Sequence, residues 1–274
     1  MADIHPFRSW RFDLGQVGDL SEVVAPPVDL IEESDVRDLY RNHPCNVIRL
    51  VRNRDEPADT ASSRLERMQR YFRQWTQDGI LNREHEDTIY VYHQTTGDSR
   101  GSIELKGFVA TVPLEAFAHV EDGEPEEDAT AYFAQTSSQF GPLLATFDDP
   151  KDSISSELDA ATLGITAFEL VDENGTTHRF WPVSNYQRQQ SVIELLRDQQ
   201  LGLSRGKQQL LVARKHRNKL SDAGELGKSP GAERVMVYCV ENLMLEQEEP
   251  DGAHFADRAY RQCLSGLFIY SLDE

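Results

Sequence analysis

The sequence is poor in cysteine and has no long apolar run. Its 274 residues include three widely separated cysteines, Cys45, Cys239 and Cys263, and no Cys-x-x-Cys pair. An odd and scattered set argues against a disulfide framework and fits reduced thiols. No apolar run approaches the roughly 18 residues that a membrane-spanning helix needs, and the first residues show no signal segment. We therefore expect a cytoplasmic protein that does not insert into a membrane.

Positive charge is also scarce. The chain has 28 lysines and arginines against 47 aspartates and glutamates, which gives a formal net charge of −19 at pH 7. A field of that sign repels the phosphates of nucleic acids and of anionic lipids. We therefore expect no nucleic acid and no membrane among its partners. Solubility is the simplest role of so many acidic side chains.

Metal-ligand patterns are missing as well. The eight histidines form no His-x-x-x-His or His-Glu-x-x-His pair, and no paired cysteines accompany them. Such spacings would place two ligands on one face of a helix or in one turn. The sequence therefore predicts no metal site, and it indicates no particular cofactor.

What the sequence does contain is a mixture of helical and extended patterns in a chain long enough for a large core. We predict helices at residues 34–42, 61–78, 129–139, 191–201 and 255–264. We predict strands at residues 46–51, 89–93, 106–112, 165–171, 178–183, 209–213 and 235–240. They follow no regular βαβ order, so we expect a mixed α/β or α+β protein with short mixed sheets, flanking helices and irregular connectivity. Residues 1–150 and 151–274 could form two α/β regions or one compact unit.

The clearest single element is the helix at residues 61–78. The apolar residues that recur there at spacings of three and four are Leu65, Met68, Phe72 and Trp75. This spacing places them on one face of a helix, and Gly79 follows as a helix terminator. We therefore expect one buried face on this helix.

A second local signal is the Asn174-Gly175 pair between two apolar segments. Asn-Gly favours the positive φ angles of a two-residue hairpin turn. The sequence therefore predicts a β-hairpin from the strands at 165–171 and 178–183.

Residues 202–206 read Gly-Leu-Ser-Arg-Gly and match the Gly-x-Ser-x-Gly pattern of the nucleophile elbow. That turn needs a strand before it and a helix after it, so that the serine is exposed at the end of a sheet. Here the predicted order is the reverse, with a helix before the pattern and a strand after it. We therefore interpret the segment as an ordinary loop, in which Ser204 has no nucleophilic role.

Several stretches of the chain occur together in a combination typical of one bacterial family. They are residues 6–8, 23–29, 39–44, 46–50, 90–94, 106–110, 140–142, 148–150 and 178–181. The stretch 24–29, for example, reads Val-Ala-Pro-Pro-Val-Asp. On these stretches the chain resembles the uncharacterised family catalogued as domain of unknown function 1015. The similarity thins after about residue 240, and the chain is shorter than is usual for that family.

The resemblance implies a site for a phosphorylated ligand. Family members carry a His-Glu-x-Thr motif followed by Lys-x-Asp-Arg, and a second motif, Asp-Gly-His-His-Arg-Tyr. The second motif is similar to one in the ParB/sulfiredoxin-like proteins, where a related turn handles nucleotide phosphates. Basic side chains and glycine at a helix start suit an anion. The family is therefore expected to handle a phosphorylated small metabolite or a nucleotide, in a context related to serine metabolism.

This chain departs from both motifs. The first survives at most as His-Val-Glu-Asp at residues 119–122, and Glu-Glu-Asp-Ala at 126–129 replaces the Lys-x-Asp-Arg run. At the second motif the chain reads Arg-Lys-His-Arg at 214–217, with Lys215 where the family has glycine. Glycine allows a tight turn with positive φ at little cost, so we expect a changed backbone at this turn.

These departures leave three hypotheses. The first is a degenerate homologue without catalysis that has a binding or regulatory role. The second is an active phosphoryl-transfer or phosphate-handling enzyme on a small metabolite. The third, a nucleic-acid contact through residues 214–219, is the weakest at a net charge of −19.

The candidate site residues are the same for the first two hypotheses. The residues expected to bind the ligand are Asp29, Arg214, Lys215 and Arg217, and the candidate proton carriers are His216, Glu121 and His119. One pocket joining Asp29, His119 and His216 would favour the enzyme, and their separation would favour the degenerate homologue. We expect no detectable ATP binding at millimolar nucleotide, because acids now stand where cations would be.

Overall fold

The computed structural model describes residues 2–57, 59–98, 101–125, 133–242 and 255–273. The α-helices of these segments are α1 (Leu14–Val17), α2 (Glu33–Asn42), α3 (Ile48–Val51), α4 (Ala61–Gln77), α5 (Ser153–Ala161), α6 (Tyr186–Leu196), α7 (Lys207–Asp222) and α8 (Phe255–Arg261). The strands are β1 (Trp10–Phe12), β2 (Leu81–Arg83), β3 (Ile89–Asp98), β4 (Gly101–Pro113), β5 (Ser138–Gln139), β6 (Leu143–Phe147), β7 (Phe168–Val171), β8 (Thr177–Val183), β9 (Gly202–Arg205), β10 (Arg234–Glu241) and β11 (Tyr270–Ser271).

Seven strands form one sheet in the order β7-β8-β3-β4-β10-β6-β9. Strand β10 runs parallel to β6, and the other neighbours are antiparallel. Two further two-stranded sheets pair β1 with β2 and β5 with β11. The predicted mixed α/β class, with mixed sheets and irregular connectivity, is therefore confirmed. The large sheet takes strands from both sides of residue 150.

Both faces of the large sheet are covered, because successive side chains of a strand point to opposite faces. On β3, Tyr90 and Tyr92 pack into a core built with α2, α3, α4, α8 and the C-terminal segment. Val91 points the other way, into a core built with α5, α6 and α7. The large sheet thus lies between two layers, and α7 contributes Leu210 and Ala213 to the second core and Leu220 to the first.

Residues 10–25 and residues 265–269 meet on the first of these faces. Trp10 forms a backbone bridge with Ile269, and Ala25 forms one with Ser265. Phe268 is buried and lies against the ring of Tyr90, with centroids 4.7 Å apart. Residues close to either end of the chain are therefore part of one core.

The predicted helix at 61–78 is confirmed as α4. It begins with a capping box in which the Thr60 hydroxyl accepts from the Ser63 amide. Met68 and Trp75 are buried, whereas Leu65 and Phe72 are half-buried and pack against the same core. The predicted apolar face therefore exists, and Met68 and Trp75 are its most deeply packed residues.

The predicted hairpin is confirmed as β7 and β8, with β7 three residues shorter than expected at its start. Gly175 has a φ of 77° but Asn174 has no positive φ, so the loop is not the two-residue turn in which both residues have positive φ. One carboxylate oxygen of Asp172 accepts from the amides of Asn174 and Thr176, at 2.9 and 2.8 Å. The aspartate before the pair thus fixes the turn together with the glycine.

Two predicted strands are wrong, because both segments are helical. Residues 48–51 of the predicted strand 46–51 form α3, and the Asn46 side chain starts this helix by accepting from the Ile48 amide at 2.9 Å. The predicted strand 209–213 lies inside α7. Its four apolar residues, Leu210 to Ala213, are buried in a helix, and a short apolar run fits a buried helix as well as a strand.

Other predicted helices have wrong boundaries. Helix α6 begins five residues before the predicted start at 191 and ends five residues before the predicted end at 201. The Asn185 side chain caps its start by accepting from the Arg188 amide. The predicted helix 129–139 lies partly outside the described residues. Within them, residues 133–136 are helical, Ser137 has a φ of 46°, and β5 follows at once.

No helix in the described part of the chain is both long enough and apolar enough to cross a membrane. The other three predicted strands, at 89–93, 106–112 and 235–240, lie within β3, β4 and β10. Strands β3 and β4 extend well beyond the predicted segments. The predicted closing helix is α8, which ends three residues before the predicted end at 264.

Candidate functional site

Helix α7 carries most of the predicted site residues. It follows strand β9 directly, and Gly206 between them has a φ of 95°, which only glycine adopts readily. The prediction of a turn at residues 214–217 is therefore wrong, since these residues lie within the helix. Lys215 suits this position, because lysine is a good helix former and glycine is not.

The same strand and helix correct the interpretation of the Gly-x-Ser-x-Gly pattern. The predicted order of helix, pattern and strand is wrong, because residues 202–205 form β9 and α7 follows. Ser204 is nevertheless a residue of the strand, whereas the nucleophile of an elbow stands in the turn itself. The turn position is occupied by Gly206, so the serine is not presented as a nucleophile.

One side of α7 faces an open cleft of about 610 Å³, which we call the ion-pair cleft. Its other wall is the short helix Leu114–Phe117 and the segment that follows, to Glu124. The cations that line the cleft are Arg214, Lys215, Arg217 and Lys219, and the carboxylates are Glu115, Asp122, Glu124 and Asp222. Four positive and four negative side chains make its lining neutral.

Each of the three predicted anion-binding cations on α7 is paired with a carboxylate. Arg214 lies 2.8 Å from Asp122, and Lys215 lies 2.8 Å from Glu124. The third pair joins Arg217 to Glu115 at 3.0 Å. The hydrogen bond from Lys215 lowers the pKa of Glu124, so this acid stays ionised at neutral pH. The carboxylates thus occupy the positions that an anionic ligand would take.

Arg214 also has a structural role in the cleft. Its guanidinium donates to the backbone carbonyls of Phe117 and Val120, at 2.7 and 3.0 Å. Only 13% of its side chain is exposed, against 90% for Asp122. Arg214 is therefore fixed by the backbone of the opposite wall, while its carboxylate partner is largely solvated.

His216 points away from the ion-pair cleft. It is buried beside Phe133, with the ring centroids 5.4 Å apart, and its Nε2 has no hydrogen-bond partner among the described residues. Burial lowers the pKa of His216, nearby Lys219 lowers it further, and Asp273 raises it in part. His216 is therefore a neutral imidazole inside the protein, and it does not line the cleft that Lys215 and Arg217 line.

The other two candidate proton carriers lie on the surface. His119 is exposed and lines a second groove with Asp198 and Leu201. This groove shares Glu115 and Ala118 with the ion-pair cleft as a common wall. Glu121 is exposed as well, and it lines neither of the two.

Asp29 lines a third cavity, which we call the Asp29 pocket. It is a pocket of about 130 Å³ between residues 28–29, helix α3, the segment 138–141 and the first turns of α7. Asp29 itself is exposed, whereas Leu50 and Val212 on the wall are buried. The structure therefore brings Arg214, Lys215 and Arg217 together, and places Asp29, His119 and His216 in three separate surroundings.

The Tyr260 hydroxyl is hydrogen-bonded to the Asp29 carboxylate. It lies 2.8 and 3.0 Å from the two carboxylate oxygens and 3.1 Å from the side-chain oxygen of Gln209. A hydroxyl has one proton, and it donates that proton to the carboxylate, which is the stronger acceptor. Burial and the Asp29 charge both raise the pKa of Tyr260, which keeps it a donor.

Two residues beside Asp29, Tyr260 and Gln209, carry no signal in the sequence. Tyr260 and Gln209 are 231 and 180 positions from Asp29, and neither belongs to a recognisable motif. The partners Asp122 and Glu124 did carry a signal, since they belong to the acidic stretch at 119–130 and could be matched to a basic one.

The substituted run at 126–129 lies outside the described residues. Among the rest, no three His, Cys, Asp or Glu side chains are arranged to hold a metal ion.

Comparison with known proteins identifies a family but no activity. The family model described as protein of unknown function (DUF1015) matches residues 4–246. Searches of curated proteins and of solved structures each found no match. The family resemblance predicted from the sequence is confirmed, and the more distant likeness to ParB/sulfiredoxin-like proteins stays a prediction.

Proposed function

Because the chain belongs to the family of proteins of unknown function catalogued as DUF1015, we propose that it is a non-catalytic member with a binding or regulatory role. One observation carries the proposal. The three cations of α7 that would hold a phosphate are each paired with a carboxylate of the opposite wall, at 2.8, 2.8 and 3.0 Å. A phosphate entering the cleft would have to displace these acids and tolerate their charge.

The surroundings of the candidate proton carriers support the same proposal. A general acid or base must lie within hydrogen-bond reach of the reacting group, directly or through one water. His216 is buried on another side of α7, and the exposed His119 lines a different groove. An anion held by Arg214 and Lys215 would therefore have neither histidine on the wall of its cleft.

The remaining features of the proposal concern location and partners. The three cysteines are unpaired, and Cys239 and Cys263 are buried, which fits a reducing cytoplasm. The net charge of −19 and the paired cations of α7 disfavour a nucleic-acid partner. We therefore place the protein in the cytoplasm, with a ligand or protein partner that is not a polyanion.

Isothermal titration with ATP and with O-phosphoserine tests the proposal. We expect no heat of binding from the unmodified protein at millimolar ligand. The variant Glu115→Gln, Asp122→Asn, Glu124→Gln removes the three carboxylates and keeps their shapes. We expect it to gain measurable affinity for both phosphates, because its three cations would then lack their partners.

The matched control is Asp38→Asn, Glu173→Gln, Glu194→Gln, which removes three exposed acids elsewhere. The control should bind no better than the unmodified protein. ATP binding by the unmodified protein would overturn the proposal and support a phosphate-handling enzyme. If both triple variants had the same affinity for the two phosphates, the carboxylates of the ion-pair cleft would not be what prevents anion binding.

A further inference from the structure

One wall of the Asp29 pocket carries a buried serine, Ser265, whose hydroxyl has no hydrogen-bond partner among the described residues. We propose that the pocket binds a small uncharged molecule with a compact branched aliphatic body and one hydroxyl, which is hydrogen-bonded to Ser265. The proposal does not depend on the proposed function, because it concerns a different cavity and a ligand without charge. It follows from the size of the pocket, its apolar walls and the position of Ser265.

The size of the pocket limits the ligand. The volume is about 130 Å³, close to the roughly 150 Å³ of an engineered apolar cavity that accepts benzene. A molecule of about six non-hydrogen atoms therefore fits. Leu50, Val51 and Val212 on the wall are buried apolar residues, so most of such a molecule would meet hydrocarbon.

Ser265 supplies the polar contact. The residue is 3% exposed, and its backbone amide and carbonyl are both bonded to Ala25, at 2.7 and 3.1 Å. Its hydroxyl oxygen lies 3.2 Å from the place that a Cβ atom of Gly141, another wall residue, would take. This oxygen is not one of the polar atoms sealed from solvent, so the hydroxyl faces the pocket. Buried polar groups are nearly always hydrogen-bonded, and the hydroxyl of a ligand would serve here as well as a water molecule.

The surroundings of Ser265 disfavour a charged head group. An ion among apolar walls needs a counter-charge or several hydrogen bonds, and one neutral hydroxyl supplies neither. Asp29 also lines the pocket, but it is exposed and already bonded to Tyr260, so the proposal gives it no contact with the ligand. The first turn of α7, with Gln208 and Gln209, lines the pocket too, and a helix start favours anions. An ammonium and a carboxylate are therefore the competing head groups that an experiment must include.

Three probes with one aliphatic body compare these head groups. They are 3-methylbutan-1-ol, 3-methylbutan-1-amine and 3-methylbutanoate, titrated at neutral pH into full-length protein with labelled methyl groups. We expect the alcohol to shift the methyl signals of Val51 and Val212, with a Kd of ~1 mM or below. It should bind at least ~10-fold more tightly than either ion. An amine or a carboxylate that binds as tightly as the alcohol would overturn the proposal, as would an alcohol that shifts neither signal.

Two variants test the role of Ser265 and the place of the ligand. Ser265→Ala removes only the hydroxyl, so the alcohol should lose ~5-fold in affinity, the size of one neutral hydrogen bond. Val212→Phe should fill the pocket and abolish binding. The matched control is Ser156→Ala, which removes an exposed hydroxyl on α5 and should leave the affinity unchanged. If Ser265→Ala bound the alcohol as tightly as the unmodified protein, the proposal would be overturned even where Val212→Phe fails to fold.

Discussion

The guanidinium of Arg214 donates to the carbonyl of Phe117 at 2.7 Å and so joins α7 to the last turn of the short helix Leu114–Phe117. In Arg214→Met the Val120 carbonyl would lose this donor, while the Phe117 carbonyl would keep its bond from the Val120 amide. We expect a loss of about 1–3 kcal/mol in the free energy of unfolding, the usual cost of losing hydrogen bonds to a charged group and leaving one carbonyl unsatisfied. Urea denaturation followed by circular dichroism measures it.

Glu124→Gln serves as the comparison from the same cleft. The Glu124 side chain is 89% exposed, and its pair with Lys215 is a solvated surface contact. We expect no resolvable shift of the unfolding midpoint in this variant. If Arg214→Met also left the unfolding midpoint unchanged, the wall of the cleft opposite α7 would not depend on Arg214 for its position.

The core face of α4 gives a second prediction. Trp75 is 3% exposed and packs against Phe12 and Tyr71. Trp75→Ala should cost about 3–5 kcal/mol, as large-to-small substitutions of buried aromatic residues do. Tyr186→Ala removes an aromatic ring that is 70% exposed and should change stability by less than about 0.5 kcal/mol. Similar losses for both variants would show that the packing of α4 is not as described.

A third prediction concerns Gly107 in β4. A Cβ atom there would lie 2.1 Å from the backbone oxygen of Cys239 on β10. Both strands are central to the sheet, so neither can move aside cheaply, and Gly107→Ala should cost more than about 3 kcal/mol. Gly227→Ala is the control, since its Cβ would meet open space. We expect Gly107→Ala to be recovered largely insoluble and Gly227→Ala to express like the unmodified protein.

The buried histidines predict a loss of stability in mild acid. Burial lowers the pKa of His216, and it also lowers the pKa of His93, which faces Glu104, Lys106, Asp159 and Arg179. An unfolded histidine has a pKa of about 6.5, so the unfolded chain binds protons first as the pH falls. The stability from neutral histidines is therefore complete above about pH 6.5 and decreases below it.

His216→Gln isolates one part of this effect. Between pH 7.5 and 5.5 the unfolding free energy of the variant should fall less than that of the unmodified protein. Lys219 and Asp273 are the charged groups that act on His216, and they remain in the variant. Parallel pH profiles would mean that folding does not change the pKa of His216.

Local signals in the sequence predicted the elements whose structure depends on local chemistry. The spacing of Met68 and Trp75 predicted α4, and the Asn174-Gly175 pair predicted the hairpin. Local signals did not predict the secondary structure where contacts with the rest of the fold determine it. The apolar run at 210–213 fits a strand or a buried helix, and in the fold it packs as a helix near strand β6.

The candidate site was predictable only as a set of residues. The basic run on α7 can be seen in the sequence. Its carboxylate partners cannot, because they lie 91 to 102 positions earlier. Sequence order also suggested that His216 acts with Arg214 and Lys215. The helix turns its ring to the opposite side, because neighbouring residues on a helix do not share a face.

The bridges of Trp10 to Ile269 and of Ala25 to Ser265 have a consequence for how the protein is made. Synthesis runs from the N-terminus, and a growing chain can complete only those contacts whose partners have left the ribosome. The segment with Trp10 and Ala25 must therefore wait for residues 265–269, and β6 must wait for its parallel neighbour β10. A chaperone that shields these apolar segments until their partners have been made would help this chain to fold.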